Sequence, residues 1–449
     1  MKIRVLKFGG TSVRTPEARM QAALRVVSAR EQGISPVVVV SAIGRRGEPY
    51  ATDTLINLLK EIDASVVPDN RELDLLMACG EILSSVIFAH LLKTLGHKSM
   101  AMRGGQAGIF TDGIYGNARI TSVDPSGILH VLQEGVIPVV CGFQGVYQRP
   151  GFPGTDVTTL GRGGSDTTAA ALGAALKADA IEIYTDVDGV KTADPDYVPH
   201  APTLRRVSYA EVAEIAHLGA KVVHPRAAEI AMHSQVPLWV KNTFSDDIGT
   251  EIVSVDRASL RYATGVAHTG KLVSLQMDIT GVDPEHRRAF ESEVYGMLAK
   301  YGFNLFMVNL SDAGIGWAVP RDQYPMIIDL FDGLVLPLGD EDKKLYVVQI
   351  GSEPSKGCAT QIDLMKTLGK PVTVPIQVSE GLTMVSVVGP QAVSEAGASY
   401  RALAALDEGS IPVVQVTGSE TSISILLPES ELRRAVAILH ETFRLSDAE

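Results

Sequence analysis

Short apolar, β-branched runs alternate with longer stretches of helical spacing through the first half of the chain. The runs are Val5–Phe8, Val37–Val40, Ser99–Met102, Val136–Cys141, Ile181–Tyr184 and Leu238–Lys241. The stretches are Ala18–Gln32, Leu73–Thr94, Asp166–Leu176 and Tyr209–Leu218. Strand then helix, repeated, predicts a mostly parallel sheet covered on both faces, because parallel neighbours need a crossover and a helix supplies it. Ligands on such sheets bind beyond the carboxyl ends of the strands. Gly9-Gly10 and Ser41-Ala42 both lie just past predicted strand ends.

The texture changes after residue 245. Asp246–Arg257 is polar with weak periodicity and reads as a linker, here drawn to residue 264. Beyond it, Val273–Ile279, Glu285–Tyr301, Asn304–Leu310 and Gly316–Val319 read β-α-β-β. A similar series recurs at Met384–Val388, Ala398–Glu408, Val413–Thr417 and Ser422–Leu427, closed by a helix at Glu431–Phe443. This is a weak internal duplication of a small ferredoxin-like α+β module across 265–449. Phe331–Val378 fits neither copy and is left as extra strands, a loop extension or a diverged connection.

A chain of 449 residues exceeds one ordinary core, so two or three domains are expected. A net charge of −12 argues against nucleic acid and anionic membrane surfaces as partners, so anionic ligands must be captured by local loops. The three cysteines, Cys79, Cys141 and Cys358, form no CxxC, which points to a reducing compartment without disulfide or zinc frameworks. The chain enters a strand at once and no apolar run reaches ~18 residues, so the cytoplasm is expected.

Two glycine turns carry the candidate chemistry. Lys7-Phe8-Gly9-Gly10-Thr11-Ser12 offers an ammonium, close backbone N–H groups and hydroxyls to one anion. Neither this turn nor Gly161–Thr168 has Walker or GxGxxG spacing. Arg162, bounded by glycines, suits bidentate capture of a carboxylate or phosphate, and Asp166 is expected to cap the following helix. Glu81 lies in a strongly apolar helix, so it either faces solvent on a narrow polar stripe or meets a cationic ligand group. Tyr184–Pro195 is either an acidic surface turn or a nucleotide pocket in which Asp186 or Asp188 serves ribose or magnesium. Lys221 has mostly apolar neighbours, which favours a buried stem reaching an anion.

As a set and in order, the motifs at Lys7, Ser41, Glu81, Gly161–Asp166, Thr185–Val190 and Gly219–Pro225 resemble the aspartokinases of the amino acid kinase family. The duplicated modules resemble the paired ACT domains that regulate them. Tyr50–Asp53 and Phe303–Val319 look most like the diaminopimelate-sensitive type of Gram-positive bacteria. The resemblance implies an α/β/α sandwich over 1–245 followed by two ACT modules. It also implies transfer of the ATP γ-phosphoryl group to the β-carboxylate of L-aspartate, with Mg²⁺. That is the first step toward lysine, diaminopimelate, threonine and methionine.

Carried over, Lys7, Gly9, Gly10 and Ser12 would hold the ATP phosphates, with Lys7, Arg162 and Asp166 catalytic. Ser41, Thr52, Glu81, Arg162 and Asp166 would contact aspartate, Glu81 meeting its ammonium and Arg162 its α-carboxylate. Thr185, Asp186, Lys191 and Lys221 would line the nucleotide pocket, and no protein metal ligand is carried over. The β-carboxylate, with a reference pKa of ~3.9, is already ionised, so no general base is needed. A homodimer or larger homo-oligomer through the ACT modules, with lysine, threonine or diaminopimelate as effector, is further implied.

Two positions depart from the family pattern. Asp196 stands where an arginine usually contacts phosphate, and Lys191 is the candidate substitute. Phe306 stands where many of these ACT modules carry an acidic effector contact. Other expectations are a kinase of glutamate or acetylglutamate, or a non-catalytic amino-acid sensor.

Overall fold

The computed structural model describes residues 1–45, 47–63, 66–220, 223–254, 262–339, 344–389 and 395–447. The chain divides into two compact units. One comprises Met1–Pro195, His200–Thr264 and Leu445–Glu449; the other comprises Asp196–Pro199 and Gly265–Arg444.

The first unit is built on β1 (Ile3–Phe8), β2 (Ser35–Val40), β3 (Ser99–Met102), β4 (Ile109–Thr111), β5 (Ile120–Val123), β6 (Ile137–Cys141), β7 (Gln144–Tyr147), β8 (Asp156–Thr159), β9 (Ala180–Thr185), β10 (Arg206–Ser208), β11 (Leu238–Asn242) and β12 (Thr250–Val253). Its helices are α1 (Pro16–Glu31), α2 (Thr52–Ile62), α3 (Asn70–Thr94), α4 (Ser126–Gln133), α5 (Gly164–Ala175), α6 (Tyr209–His217) and α7 (Pro225–Ser234). The main sheet has the order β10-β12-β11-β9-β1-β2-β6-β3, and β5-β4-β7-β8 form a small second sheet. All six strands predicted for this half lie in the main sheet, and every neighbouring pair from β11 to β3 is parallel.

Every residue of β2 is buried, as a strand covered on both faces requires. Phe8 stacks on Phe88 of α3 and on Tyr184 of β9, with ring centroids 5.5 and 5.0 Å apart. Helix α1 starts where the Thr15 hydroxyl accepts from the Ala18 N–H and Pro16 fills the first helical position. It lays Ala18, Ala22, Ala23, Val26 and Ala29 against the sheet, small side chains that let the helix lie close. The strand order reverses at β1. The next strand, β2, lies on one side of it, and β9 closes the other. This switch point is where an α/β sheet opens a crevice beyond its carboxyl ends.

The second unit comprises β13 (Gly265–Asp278), α8 (Arg287–Lys300), β14 (Phe306–Ser311), β15 (Gly314–Pro320), α9 (Tyr324–Phe331), β16 (Val335–Leu338), β17 (Lys344–Ile350), α10 (Lys356–Leu368), β18 (Val372–Val388), α11 (Ala398–Glu408), β19 (Gln415–Gly418), β20 (Ser422–Pro428) and α12 (Leu432–Thr442). Two long antiparallel strands organise it. Gly265–Thr269 of β13 pairs with Met384–Val388 of β18, and Leu272–Met277 pairs with Ile376–Leu382. The register shifts between Thr269 and Leu272, beside Lys271 at φ +57°, as at a β-bulge. Leu272–Asp278 of β13 pairs with β15, which β14 flanks; the start of β18 pairs with β17, which β16 flanks; and Leu382–Val388 of β18 pairs with β20, which β19 flanks. The segment that fitted neither repeat therefore supplies extra strands, β16, β17 and the start of β18, around a core of Phe290, Trp317, Phe331 and Tyr346.

Candidate active site

Lys7 is the penultimate residue of β1, and its ammonium pairs with Asp166 at 2.6 Å, both side chains nearly buried. Asp166 does not cap α5 as the sequence suggested. The cap is Gly163 in the left-handed conformation, φ +67°, without a side-chain hydrogen bond. Asp166 sits inside the first turn, where its charge favours the helix N-terminus and its carboxylate is directed to Lys7. Position 163 admits only glycine for a second reason: an added Cβ would stand 2.2 Å from the His224 ring.

The first glycine turn folds against the loop after β2. An added Cβ at Gly10 would lie 2.6 Å from the Gly44 carbonyl oxygen, and the Gly44 N–H donates to the Gly10 carbonyl at 3.2 Å. Gly9 donates its N–H to the Tyr184 carbonyl at 3.2 Å, tying the turn to the end of β9. Ser12 departs from expectation. Its hydroxyl is fully buried, 2.7 Å from the Thr243 hydroxyl, and its N–H donates to Gly9. Ser12 fastens the turn through these bonds.

Helix α3 carries Glu81 under the same loop. The Glu81 Oε1 accepts from the Ala42 N–H at 2.9 Å, while Oε2 is buried without a partner among the described residues. Gly80 makes that approach possible, since an added Cβ would lie 2.8 Å from the Ala42 side chain. Burial pushes the Glu81 carboxyl up to about 8, opposed by the Ala42 hydrogen bond. Ser41 donates its N–H to the Phe8 carbonyl at 3.1 Å, so it stands beside the end of β1. Thr52 opens α2, two residues after Tyr50, whose carbonyl oxygen lies 3.3 Å from a Cβ added at Gly80. Arg162 is exposed on its glycine turn and forms no ion pair with any described residue.

The residues expected on the nucleotide side are less uniform. Thr185 ends β9 and its hydroxyl donates to Asp186 at 3.2 Å. Asp186 pairs with Arg45 at 2.6 Å, on the rim of a hollow of about 390 Å³ that Thr11, Arg14 and Phe244 also line. Asp188 is held below the usual carboxylate range, chiefly by the Asn242 amide donating at 2.6 Å. Lys191 donates to the Thr203 hydroxyl at 3.2 Å. Lys221 lies outside the described residues.

Two further groups complete the geometry. Asp74, two turns before Glu81 on α3, is fully buried. It accepts from the Gly116 N–H at 3.0 Å, the Thr159 N–H at 2.9 Å and the Thr159 hydroxyl at 2.5 Å. His224 abuts Gly163 with its Nδ1 buried and unpartnered among the described residues. Burial holds it below its usual pKa, while the nearby Asp166 charge opposes that shift.

Residues 2–242 match the amino acid kinase family, and residues 385–443 match the ACT domain. Over 452 residues the chain is 36% identical to Aspartokinase 1 of Bacillus subtilis (strain 168), covering 99% of this chain and 100% of that one. The chain belongs to the aspartokinases of the amino acid kinase family. It is also 36% identical to the Aspartokinase of Mycolicibacterium smegmatis, over 99% of this chain and 97% of that one. Its fold is that of E. coli aspartokinase III solved in complex with aspartate and ADP, with a TM-score of 0.71. The two are 23% identical, and the match covers 98% of this chain and 99% of that one.

Within this aspartokinase site, sequence reasoning missed Asp74, Arg45 and His224. A carboxylate two helical turns from Glu81 in an apolar helix was the available signal for Asp74, because a buried charge there demands partners. Its partners hold the strand that leads into Leu160 and Arg162. Asp74→Asn turns an amide N–H toward donors and leaves a buried group unsatisfied, a loss of roughly 2 kcal/mol. The expected result is a melting temperature lower by about 4–8 °C with a raised KM for aspartate. A lowered melting temperature with unchanged KM would confine Asp74 to stability.

Proposed function

We propose that this chain transfers the γ-phosphoryl group of ATP to the β-carboxylate of L-aspartate, under control of an amino acid bound by its ACT unit. The observation that carries the reading is Glu81: a buried carboxylate, one oxygen held by Ala42 and the other unpartnered among the described residues. An ammonium group answers that vacancy in charge and in hydrogen bonding. Arg162, exposed and without an ion pair among the described residues, would supply the opposite charge for the α-carboxylate. Aspartate bound between them would present its β-carboxylate toward Lys7 and the Gly9-Gly10 backbone. The reacting carboxylate needs no base, so the task is to bring two anions together in line. Magnesium would enter with the nucleotide as part of that substrate. Lys191 and Asp186 would serve the nucleotide side.

In the second unit, a polar hollow of about 200 Å³ lined by Gln276, Asp278, Asn309, Ser311 and Gln377 has the donors and acceptors to hold a small zwitterion. Phe306 opens β14 without a carboxylate, which favours an effector that does not require a second acidic contact.

The test is coupled ADP release with aspartate, glutamate and acetylglutamate, then with lysine, threonine or meso-diaminopimelate added. Aspartate should exceed acetylglutamate by at least about 100-fold in kcat/KM, since acetylglutamate has no ammonium for Glu81. One of the three effectors should lower the rate. Equal turnover of acetylglutamate, or none of aspartate, would overturn the assignment.

A further inference from the structure

The loop after β2 and the residue after β9 meet across the end of β1. In the main sheet β1 lies between β9 and β2. Asp186 follows directly on the last residue of β9, and Arg45 lies in the loop that follows β2. Their side chains pair at 2.6 Å, so the pair spans the carboxyl end of β1, where the Gly9-Gly10 turn lies. That is the mouth of the crevice at the switch point of the sheet.

The backbone that carries Arg45 is held, and its guanidinium is not. The Ala42 N–H donates to Glu81 at 2.9 Å, the Gly44 N–H to the Gly10 carbonyl at 3.2 Å and the Arg45 N–H to Glu48 at 2.8 Å. Arg14 fixes Glu48 in turn, at 2.5 Å. Among the described residues Asp186 is the only partner of the Arg45 guanidinium, which leaves most donors of the fork to solvent. A change of partner therefore needs side-chain rotation alone, with no movement of the loop.

Charge balance selects Arg45 among the cations near the turn. Lys7, Arg14 and Arg45 stand there against Asp166, Glu48 and Asp186, each cation paired with one carboxylate. The three pairs sum to zero, and the net charge of −12 supplies no long-range attraction for a polyanion. One pair must open for a polyphosphate to gain a cation. The side chains of Lys7 and Asp166 are 11% and 13% exposed, those of Arg14 and Glu48 52% and 28%, and those of Arg45 and Asp186 66% and 39%. The most exposed pair is the least costly to exchange, because water screens it most. The planar fork of an arginine also meets a phosphate with two parallel N–H groups, which the point charge of Lys7 does not.

We infer that Arg45 leaves Asp186 for the terminal phosphates of the nucleotide and positions them over the glycine turn. The assignment rests on the reading above that those phosphates lie at Lys7 and the Gly9-Gly10 backbone. It makes Arg45 a reader of the polyphosphate, not of the base or the sugar.

Calorimetric titration of the full-length protein tests it, with a non-hydrolysable ATP analogue and Mg²⁺ in one series and AMP in the other. Arg45→Ala should weaken the triphosphate by about tenfold or more and AMP by less than about twofold, with KM for aspartate unchanged. Arg45→Lys keeps the charge but loses the fork, and should recover only part of the triphosphate affinity. Asp186→Asn releases Arg45, so the ratio of triphosphate to AMP affinity should rise by about threefold. That rise should vanish once Arg45→Ala is added, since the two side chains act through one contact. A purely structural Arg45 would weaken both nucleotides alike and keep their ratio, which would overturn the assignment. A rise in Asp186→Asn that survives Arg45→Ala would overturn it too. A wild-type protein that binds the triphosphate no better than AMP would overturn it together with the phosphate reading on which it rests.

Discussion

Glu81→Gln should lower kcat/KM for aspartate by roughly 10²–10³ while leaving the unliganded protein at least as stable as the wild type above pH 7. Removing one partner of a buried charge pair costs about 3–5 kcal/mol. On the proposed reading the second partner is the ammonium of the substrate, so the loss falls on binding. Without substrate, Glu81 faces the opposite situation. Burial holds its carboxyl up at about 8, against a reference of 4.5 in the unfolded chain. The unfolded state therefore releases this proton first as pH rises. Stability declines from about pH 4.5 to about pH 8 on this account and levels off above it. Glu81→Gln removes that decline, so its melting temperature should gain on the wild type through this window and most at pH 8. Aspartate, placed with its ammonium at Glu81 as proposed, should reverse the balance by ionising that carboxyl. Binding should release close to one proton at pH 7 and about half a proton at pH 8, measured by calorimetry in buffers of different ionisation enthalpy. In Glu81→Gln the buffer dependence should vanish. Binding by the wild type that is independent of buffer would remove Glu81 from the ammonium site.

What the sequence disclosed follows the range of the interactions involved. The six core strands and α1, α3, α5 and α6 were legible because each is a local periodicity bounded by turns. Strands β10 and β4, with three residues each, are too short to show alternation. The sharing of β13 and β18 by both halves of the second unit was hidden because a strand pairing two ways carries no distinct pattern. At the site, the charged loop residues announced themselves and their partners did not. Asp166 looked like a cap because its neighbours are helical, yet Lys7, which claims it, lies 159 positions away in the chain. Ser12 looked free for phosphate until Thr243, 231 residues on, was found at its hydroxyl. Asp74 was passed over for the same reason, since Gly116 and Thr159 reach it only after folding. Long-range hydrogen bonds assign a polar side chain to structure or to chemistry, and a sequence does not print them.

Lys7→Ala should lower kcat by about 10³ with only a few-fold change in KM for aspartate. The ammonium lies 3.6 Å from a Cβ added at Gly9, so it overlies the glycine turn where the phosphates are proposed to sit. It is nearly buried, and a charge in that setting acts on the transferring group with little screening by water. Loss of one such preorganised group costs about 3–4 kcal/mol in the transition state, which sets the expected factor. Aspartate binding is proposed to rely on Glu81 and Arg162, so its KM should move little. The ion pair with Asp166 raises a competing explanation, that the substitution acts by leaving a carboxylate unpaired. Asp166→Asn combined with Lys7→Ala separates the two. If the loss is transition-state stabilisation, the double variant stays as slow as Lys7→Ala. If it is the stranded carboxylate, removing that charge restores much of the rate. A kcat for Lys7→Ala equal to that of the wild type would exclude Lys7 from phosphoryl transfer altogether.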